Sequence, residues 1–131
     1  MLPPDHIVRT LVEFGRSHPI VRALYIFGSR AGGDARIDSD LDVGVLFGVP
    51  QSLDTRLRLE DDLERAVGFT LDLVDVARAG AFLALAIVRG ERVFTRDPVE
   101  SDEFELYVLR RAGDLLPFEQ TRQEMLLTPS P

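Results

Sequence analysis

The chain contains no cysteine, no lysine, no asparagine and no tryptophan. Without cysteine it can form no disulfide framework, which argues against a small disulfide-stabilised secreted domain. No apolar run approaches the roughly 18 residues that a membrane-spanning helix needs. The N-terminus also lacks the basic region and apolar core of a signal peptide. These absences predict a cytoplasmic protein with no membrane contact.

The charge of the chain is unbalanced toward acid. Twenty-two acidic residues stand against 15 basic ones, all of them arginine, and the formal net charge is −7. Sequence-independent nucleic-acid binding needs clustered positive charge, so we expect no direct nucleic-acid partner. A length of 131 residues, 45% of them hydrophobic, predicts one globular domain over 1–131.

Hydrophobic periodicity and turn signals predict alternating helices and strands. Strands are expected over 20–27, 40–47, 69–76 and 92–95, and helices over 4–17, 53–67, 82–88, 101–114 and from Pro117 to about 127. This order predicts an α+β (mixed α/β) domain in which a small mixed sheet has helices packed against it.

Two helical segments differ in how their apolar side chains are arranged. In the helix 53–67 we expect a buried stripe made of Leu53, Leu57, Leu59, Leu63 and Val67. In the C-terminal segment 101–127 the apolar side chains cover more than one helix face. They either all fold back onto the sheet or form, in part, an interface for a partner.

A Gly-Ser pair, Gly28-Ser29, follows the apolar run 23–27. Such a turn can hold a phosphate with backbone N–H groups and a hydroxyl, although it can equally be an ordinary helix N-cap. The two interpretations are compatible, because a cap leaves free the N–H groups that an anion uses. Arg30 and Arg36 follow in the same loop, where they either contact a triphosphate or lie in solvent.

Two carboxylates, Asp40 and Asp42, open the next apolar run. Residues two apart in a strand face the same side, so these side chains stand together and repel unless a cation lies between them. A hard cation such as Mg²⁺ suits oxygen ligands, whereas the alternative is a solvated strand end. A later strand offers Asp72 and Asp75, which are three apart, so only one of them can face the same site.

The pattern Gly-Ser, ten residues, Asp-x-Asp, then an Asp-bearing strand, resembles the signature of the DNA polymerase β-like nucleotidyltransferases. Within that superfamily the chain is most similar to the minimal nucleotidyltransferases (MNT) that act as antitoxins to HEPN-domain toxins. The resemblance implies the nucleotidyltransferase palm-like fold. It also implies that Asp72 is the third metal ligand, which leaves Asp75 near the strand end as a solvated or arginine-paired acid.

The resemblance further implies an Mg²⁺-dependent transfer of AMP from ATP to a hydroxyl of a HEPN toxin, a small helical RNase. Two ions are expected, with Mn²⁺ as a possible substitute. The implied catalytic residues and metal ligands are Asp40, Asp42 and Asp72. The implied nucleotide-binding residues are Gly28, Ser29, Arg30 and Arg36.

Two alternative functions remain open from the sequence. Many relatives carry a second arginine in the loop where this chain has Gly32, which leaves room for an antitoxin that acts by binding alone. The other alternative is a transferase for a small molecule. Relatives that modify aminoglycosides carry an additional helical domain for the acceptor, and no such segment is expected within these 131 residues.

Overall fold

The computed structural model describes residues 5–28 and 41–127, with side chains as far as residue 114. It has four strands, four α-helices and one short 3-10 helix. In chain order these are α1 (Asp5–Ser17), β1 (Val21–Phe27), β2 (Leu41–Phe47), α2 (Leu53–Val67), β3 (Leu71–Asp75), the 3-10 helix Val76–Arg78, α3 (Ala81–Val88), β4 (Glu91–Thr95) and α4 (Pro98–Leu127). The expected α+β class and the mixed sheet are confirmed.

The four strands form one sheet in the order β3-β2-β1-β4. β1 is antiparallel to both β2 and β4, whereas β2 and β3 run parallel. The two central strands are apolar along almost their whole length, as expected for strands covered on both faces. The end of β1 therefore lies beside the start of β2, where Phe27 is opposite Asp42.

Helices α1 and α2 cover one face of the sheet. Alternate residues of β2 point to this face, in agreement with the two-residue period of a strand. The helices contribute Ile7, Leu11, Phe14, Leu59, Leu63 and Val67, and the strands contribute Val21, Leu24, Ile26, Leu41, Val43, Val45, Phe47, Leu71 and Leu73. This larger core lies on the side away from the even-numbered residues of β2.

Helices α3 and α4 cover the other face. Their core includes Ala23, Tyr25, Phe27, Leu46, Val76, Ala79, Ala84, Ile87 and Val108. α3 lies directly on the sheet at Gly44, because a Cβ there would overlap with Ile87 Cγ2 and approach Val76 Cγ2 to 3.1 Å. Gly44 thus allows an eight-residue helix to sit unusually close to β2.

The first half of α4 is fastened to the sheet by ionic and hydrogen bonds. Arg22 of β1 forms a two-pronged pair with Glu100, at 2.8 and 3.0 Å. Arg92 of β4 donates to Asp102 at 2.8 Å and to Glu105 at 2.7 Å. Charged groups held in this way fix the start of α4 across β1 and β4.

α4 continues without a break through Pro117, so the expected division into two helices was wrong. A proline has no N–H and its ring crowds the carbonyl four residues earlier, which here belongs to Gly113. The loss of one helical bond does not end a helix whose flanking turns form, and the chain therefore carries one 30-residue helix in this region.

The expected buried stripe of α2 was only partly right. Leu59, Leu63 and Val67 are buried, whereas Leu53 and Leu57 are 58% and 49% exposed. At 100° per residue, Leu57 lies about 120° from the centre of the buried stripe and so points to solvent.

The outer edge of β3 is covered by α2. Leu71 N–H donates to Glu64 Oε1 at 3.1 Å, and Leu73 N–H donates to Glu60 Oε2 at 2.8 Å. Two glutamates therefore accept hydrogen bonds from an edge strand whose N–H groups would otherwise face solvent. In the part of the chain that the structure describes, no helix is long and apolar enough to span a bilayer.

Candidate active site

Asp42 and Asp72 are neighbours in the sheet. They are register partners on the parallel strands β2 and β3, as are Leu41 and Leu71 one residue earlier. Partners in adjacent strands lie about 4.8 Å apart and point to the same face. Asp42 is partly buried and Asp72 is exposed, so the pair opens toward solvent at the edge of the face that α3 covers.

Gly28 brings the end of β1 against this carboxylate pair. Its φ of 81° lies in the left-handed region that side chains rarely adopt. A Cβ at this position would also overlap with Asp42 Oδ2 and lie 3.2 Å from Asp42 Cγ. The turn that follows β1 therefore begins in contact with Asp42, where a bound phosphate and a carboxylate-held cation would meet.

The two carboxylates suit a hard divalent cation. Both are acidic oxygen ligands on one face, and like charges this close favour a cation between them. Among the described residues no group of three histidine, cysteine or acidic side chains converges on one point. Asp40, the third member of the expected ligand set, lies outside the described residues.

Asp75 has a structural role that differs from the expected one. It ends β3 but is only 5% exposed, and its Oδ1 accepts a hydrogen bond from Ala77 N–H at 3.1 Å. This bond caps the 3-10 helix Val76–Arg78. The expectation of a solvated or arginine-paired acid was wrong, because a chain turning straight into a helix leaves N–H groups that a side chain can satisfy.

The structure does not describe several of the predicted site residues. Ser29, Arg30 and Arg36 lie outside the described residues. Their predicted contacts with a nucleotide stay predictions. Gly44, which seats α3 beside the carboxylates, was not singled out from the sequence, although a glycine inside an apolar strand is a known sign of close approach.

A groove of about 610 Å³ lies at the opposite end of the sheet. Its lining includes Ile20, Phe47 and Phe104, together with the ion pair between Arg22 and Glu100. No other described residue of the lining is charged, and because Arg22 and Glu100 neutralise each other, the described lining offers no group suited to acid–base or metal chemistry. The carboxylate pair beside Gly28 is therefore the candidate active site.

A family model described as polymerase beta, nucleotidyltransferase, matches residues 9–99. Protein adenylyltransferase MntA from Thermococcus cleftensis is 36% identical over 69 residues, which make up 53% of this chain and 70% of the relative.

Two solved structures have the same fold. One is a toxin–antitoxin complex with AMP-PNP, at a TM-score of 0.79 and 21% identity, covering 92% of this chain and 98% of that one. The other is an MNT antitoxin in complex with the tri-AMPylated HEPN toxin of Shewanella oneidensis, at a TM-score of 0.73 and 19% identity, covering 93% and 97%. By the extent of the family match and the likeness to MntA, the chain belongs to the polymerase beta nucleotidyltransferase family and to its minimal, MNT branch.

Proposed function

We propose that this protein transfers AMP from ATP to a hydroxyl group of a HEPN toxin and thereby acts as the antitoxin. The observation that carries the proposal is that Asp42 and Asp72 are neighbours on one face of the sheet. Gly28, at the end of β1, lies in contact with Asp42. The relative from T. cleftensis is named a protein adenylyltransferase. One antitoxin with the same fold is found in complex with an AMPylated HEPN toxin.

Each proposed residue has a distinct part in the reaction. Two Mg²⁺ ions would be held by Asp40, Asp42 and Asp72. The ions would neutralise the charge that develops on the α-phosphate and the leaving pyrophosphate. Gly28 and Ser29 bind the outer phosphates through backbone N–H groups and a hydroxyl. Arg30 and Arg36 add positive charge to the same loop.

The bond changes are those of an in-line displacement. The acceptor oxygen attacks the α-phosphorus, the bond from that phosphorus to the bridging oxygen of the β-phosphate breaks, and pyrophosphate leaves. Asp72 is exposed at the edge of the site and takes the proton of the acceptor hydroxyl. Most of the rate enhancement then comes from positioning and from electrostatic stabilisation.

The C-terminal segment 101–127 is proposed to take part in toxin binding. Its first half is anchored, with Ser101, Val108 and Ala112 buried. Leu106 and Tyr107 on the same helix are 56% and 53% exposed. We also propose a cytoplasmic location, in keeping with a chain that has no cysteine.

The test is transfer of radiolabelled AMP from ATP, in the presence of Mg²⁺, to the HEPN toxin that we expect a neighbouring gene to encode. Asp42→Asn and Asp72→Asn should each reduce transfer by at least about 100-fold, because Asn keeps the shape of the side chain but loses the charge that holds a cation. Asp75→Asn should retain most activity, since an amide oxygen can still cap the 3-10 helix.

Three outcomes are informative. Equal loss in Asp72→Asn and Asp75→Asn would remove the assignment of the third carboxylate. Full transfer by Asp42→Asn would place the chemistry elsewhere. Toxin inhibition by wild type without any label on the toxin would favour the antitoxin that acts by binding alone.

A further inference from the structure

Helix α3 presents an apolar face that nothing covers within residues 5–28 and 41–114. All eight of its residues are apolar. Ala81, Ala84 and Ile87 are buried, but Phe82 and Leu83 are 43% and 45% exposed. A helix that is apolar all round is normally enclosed on every side. The exposed side of α3 therefore has the composition of an interface and not of a solvated surface.

Two arginines flank α3 in the chain. Arg78 precedes α3 in the 3-10 helix, and Arg89 follows it. Phe82, Ala86 and Arg89 are spaced i, i+4 and i+7, so they fall on one stripe of the helix. Both arginines are exposed, and in the part of the chain that the structure describes neither guanidinium makes a hydrogen bond or an ion pair. In an acidic chain these are two available cations at the borders of an apolar strip.

The C-terminal end of α3 points to the candidate active site. A Cβ at Gly90 would lie 3.0 Å from Phe27 Cβ and would overlap with the carbonyl oxygen of Ile26, so the helix ends against the last residues of β1. Phe27 is opposite Asp42. Ile87 lies over Gly44, which is two residues and roughly 7 Å along β2 from Asp42.

We propose that the outward face of α3, formed by Phe82, Leu83 and Ala86 between Arg78 and Arg89, docks an amphipathic helix of the HEPN toxin. This inference rests on the proposed function. The docked helix carries apolar side chains over about two turns, with carboxylates that meet the two arginines. Two arginines on a chain of net charge −7 are too few to hold a nucleic-acid backbone or an acidic membrane, so the occupant is a protein segment.

This placement explains how the acceptor reaches the site. A partner docked on α3 has its surface beside Asp42 and Asp72, on the same face of the sheet. The docking face then supplies the acceptor hydroxyl to Asp72 in a fixed position, and the carboxylates contact the toxin only at that hydroxyl. Specificity for the toxin becomes a property of α3 that is separate from nucleotide binding.

The test compares Leu83→Asp and Arg89→Glu with a matched control, Leu57→Asp. Leu57 is 49% exposed on α2, which packs on the opposite face of the sheet. Calorimetry with the purified toxin should show binding weakened roughly 30-fold or more by Leu83→Asp, because a carboxylate replaces an apolar side chain of the proposed interface. Arg89→Glu should weaken binding by about 10-fold or more, and the control should match wild type. All three variants should melt like wild type and bind ATP with Mg²⁺ equally well.

Other results would overturn the inference. If wild type neither binds nor modifies the toxin, the proposed function fails and the inference fails with it. If wild type binds the toxin and Leu83→Asp binds it equally well, only the inference fails. Impaired ATP binding in Arg89→Glu with normal toxin binding would assign this arginine to the nucleotide. If Leu83→Asp only dissolves a dimer of this chain, the face belongs to a second copy.

Discussion

Gly28 and Gly68 adopt the same left-handed backbone, with φ of 81° in both, but in different surroundings. A Cβ at Gly68 would have nothing within 4 Å, whereas a Cβ at Gly28 would overlap with Asp42 Oδ2. Gly68→Ala therefore measures the cost of the backbone conformation alone, about 1 kcal/mol. Gly28→Ala adds a steric conflict with a proposed metal ligand.

We expect Gly28→Ala to lower the free energy of unfolding by about 1–2 kcal/mol more than Gly68→Ala does. It should also weaken the binding of ATP with Mg²⁺, since Asp42 must turn away from the new methyl group. Urea denaturation and calorimetry on both variants check this. Equal losses of stability and normal nucleotide binding in both would show that the contact between Gly28 and Asp42 is unimportant.

At the level of secondary-structure elements, α4 is joined to the sheet through a buried tyrosine. Tyr25 is fully buried in β1, and its hydroxyl donates to Glu105 at 2.8 Å. Burial, followed by the hydrogen bond to Glu105, raises the pKa of Tyr25 well above its ordinary value of 10.0. The folded protein then keeps the phenol proton at a pH at which the unfolded chain has lost it.

This difference predicts that stability falls as the pH rises above about 10, by up to about 1.4 kcal/mol per pH unit. Tyr25→Phe should remove that slope and cost about 1 kcal/mol at neutral pH. Tyr107→Phe is the control, since Tyr107 lies on α4 and is 53% exposed. Thermal melts between pH 8 and about pH 11 decide the matter, and an unchanged slope in Tyr25→Phe would contradict the prediction.

We expect the second half of α4 to contribute more to partner binding than to the stability of the domain. After Pro117 the sequence carries Phe118, Met125, Leu126 and Leu127, apolar side chains suited to a partner interface. Deletion of residues 118–131 should therefore weaken association with the toxin more than it lowers the melting temperature of the isolated chain. Co-purification with the toxin and a thermal melt measure the two effects. Unfolding on truncation, without a separate binding defect, would show that this half of the helix is part of the core.

The strands were predictable to within two residues because each carries several leucine, aromatic or β-branched residues close to a glycine or proline. The orientation of side chains was harder. Leu57 was assigned to a buried stripe and is exposed, since leucine content alone does not fix a helix face. The break expected at Pro117 did not occur, because local propensity is weaker than the context of a long helix.

The candidate site, too, was only partly predictable from the sequence. The motif was enough to predict that Asp42 and Asp72 belong to one site. Their register, however, depends on how β2 pairs with a strand almost thirty residues away, which no local pattern specifies. The capping role of Asp75 was not predicted for a similar reason, since no local pattern in the sequence indicated the 3-10 helix that follows β3.

For the molecule as a whole, the site links three of the four strands, because Gly28, Asp42 and Asp72 belong to or adjoin β1, β2 and β3. A ligand that binds there stabilises the folded domain by mass action. Without a cation, the carboxylates of the site would repel the negatively charged phosphates of ATP. Together with Mg²⁺, ATP should raise the melting temperature by more than the sum of the two separate effects.

The check is a set of thermal melts with ATP, with Mg²⁺, and with both, on wild type and on Asp42→Asn. The joint effect should disappear in the variant. A rise with ATP alone that equals the rise with both ligands would count against a site built on carboxylates and a cation.

The glutamates along β3 also limit how another chain can join this protein. Glu60 and Glu64 already accept the N–H groups of Leu73 and Leu71, so the outer side of β3 offers no row of free donors to an incoming strand. Recognition by β-augmentation, in which a partner extends the sheet by one strand, is therefore blocked at this edge. A partner that meets the molecule on this side must bind through side chains, and strand-by-strand polymerisation cannot begin there.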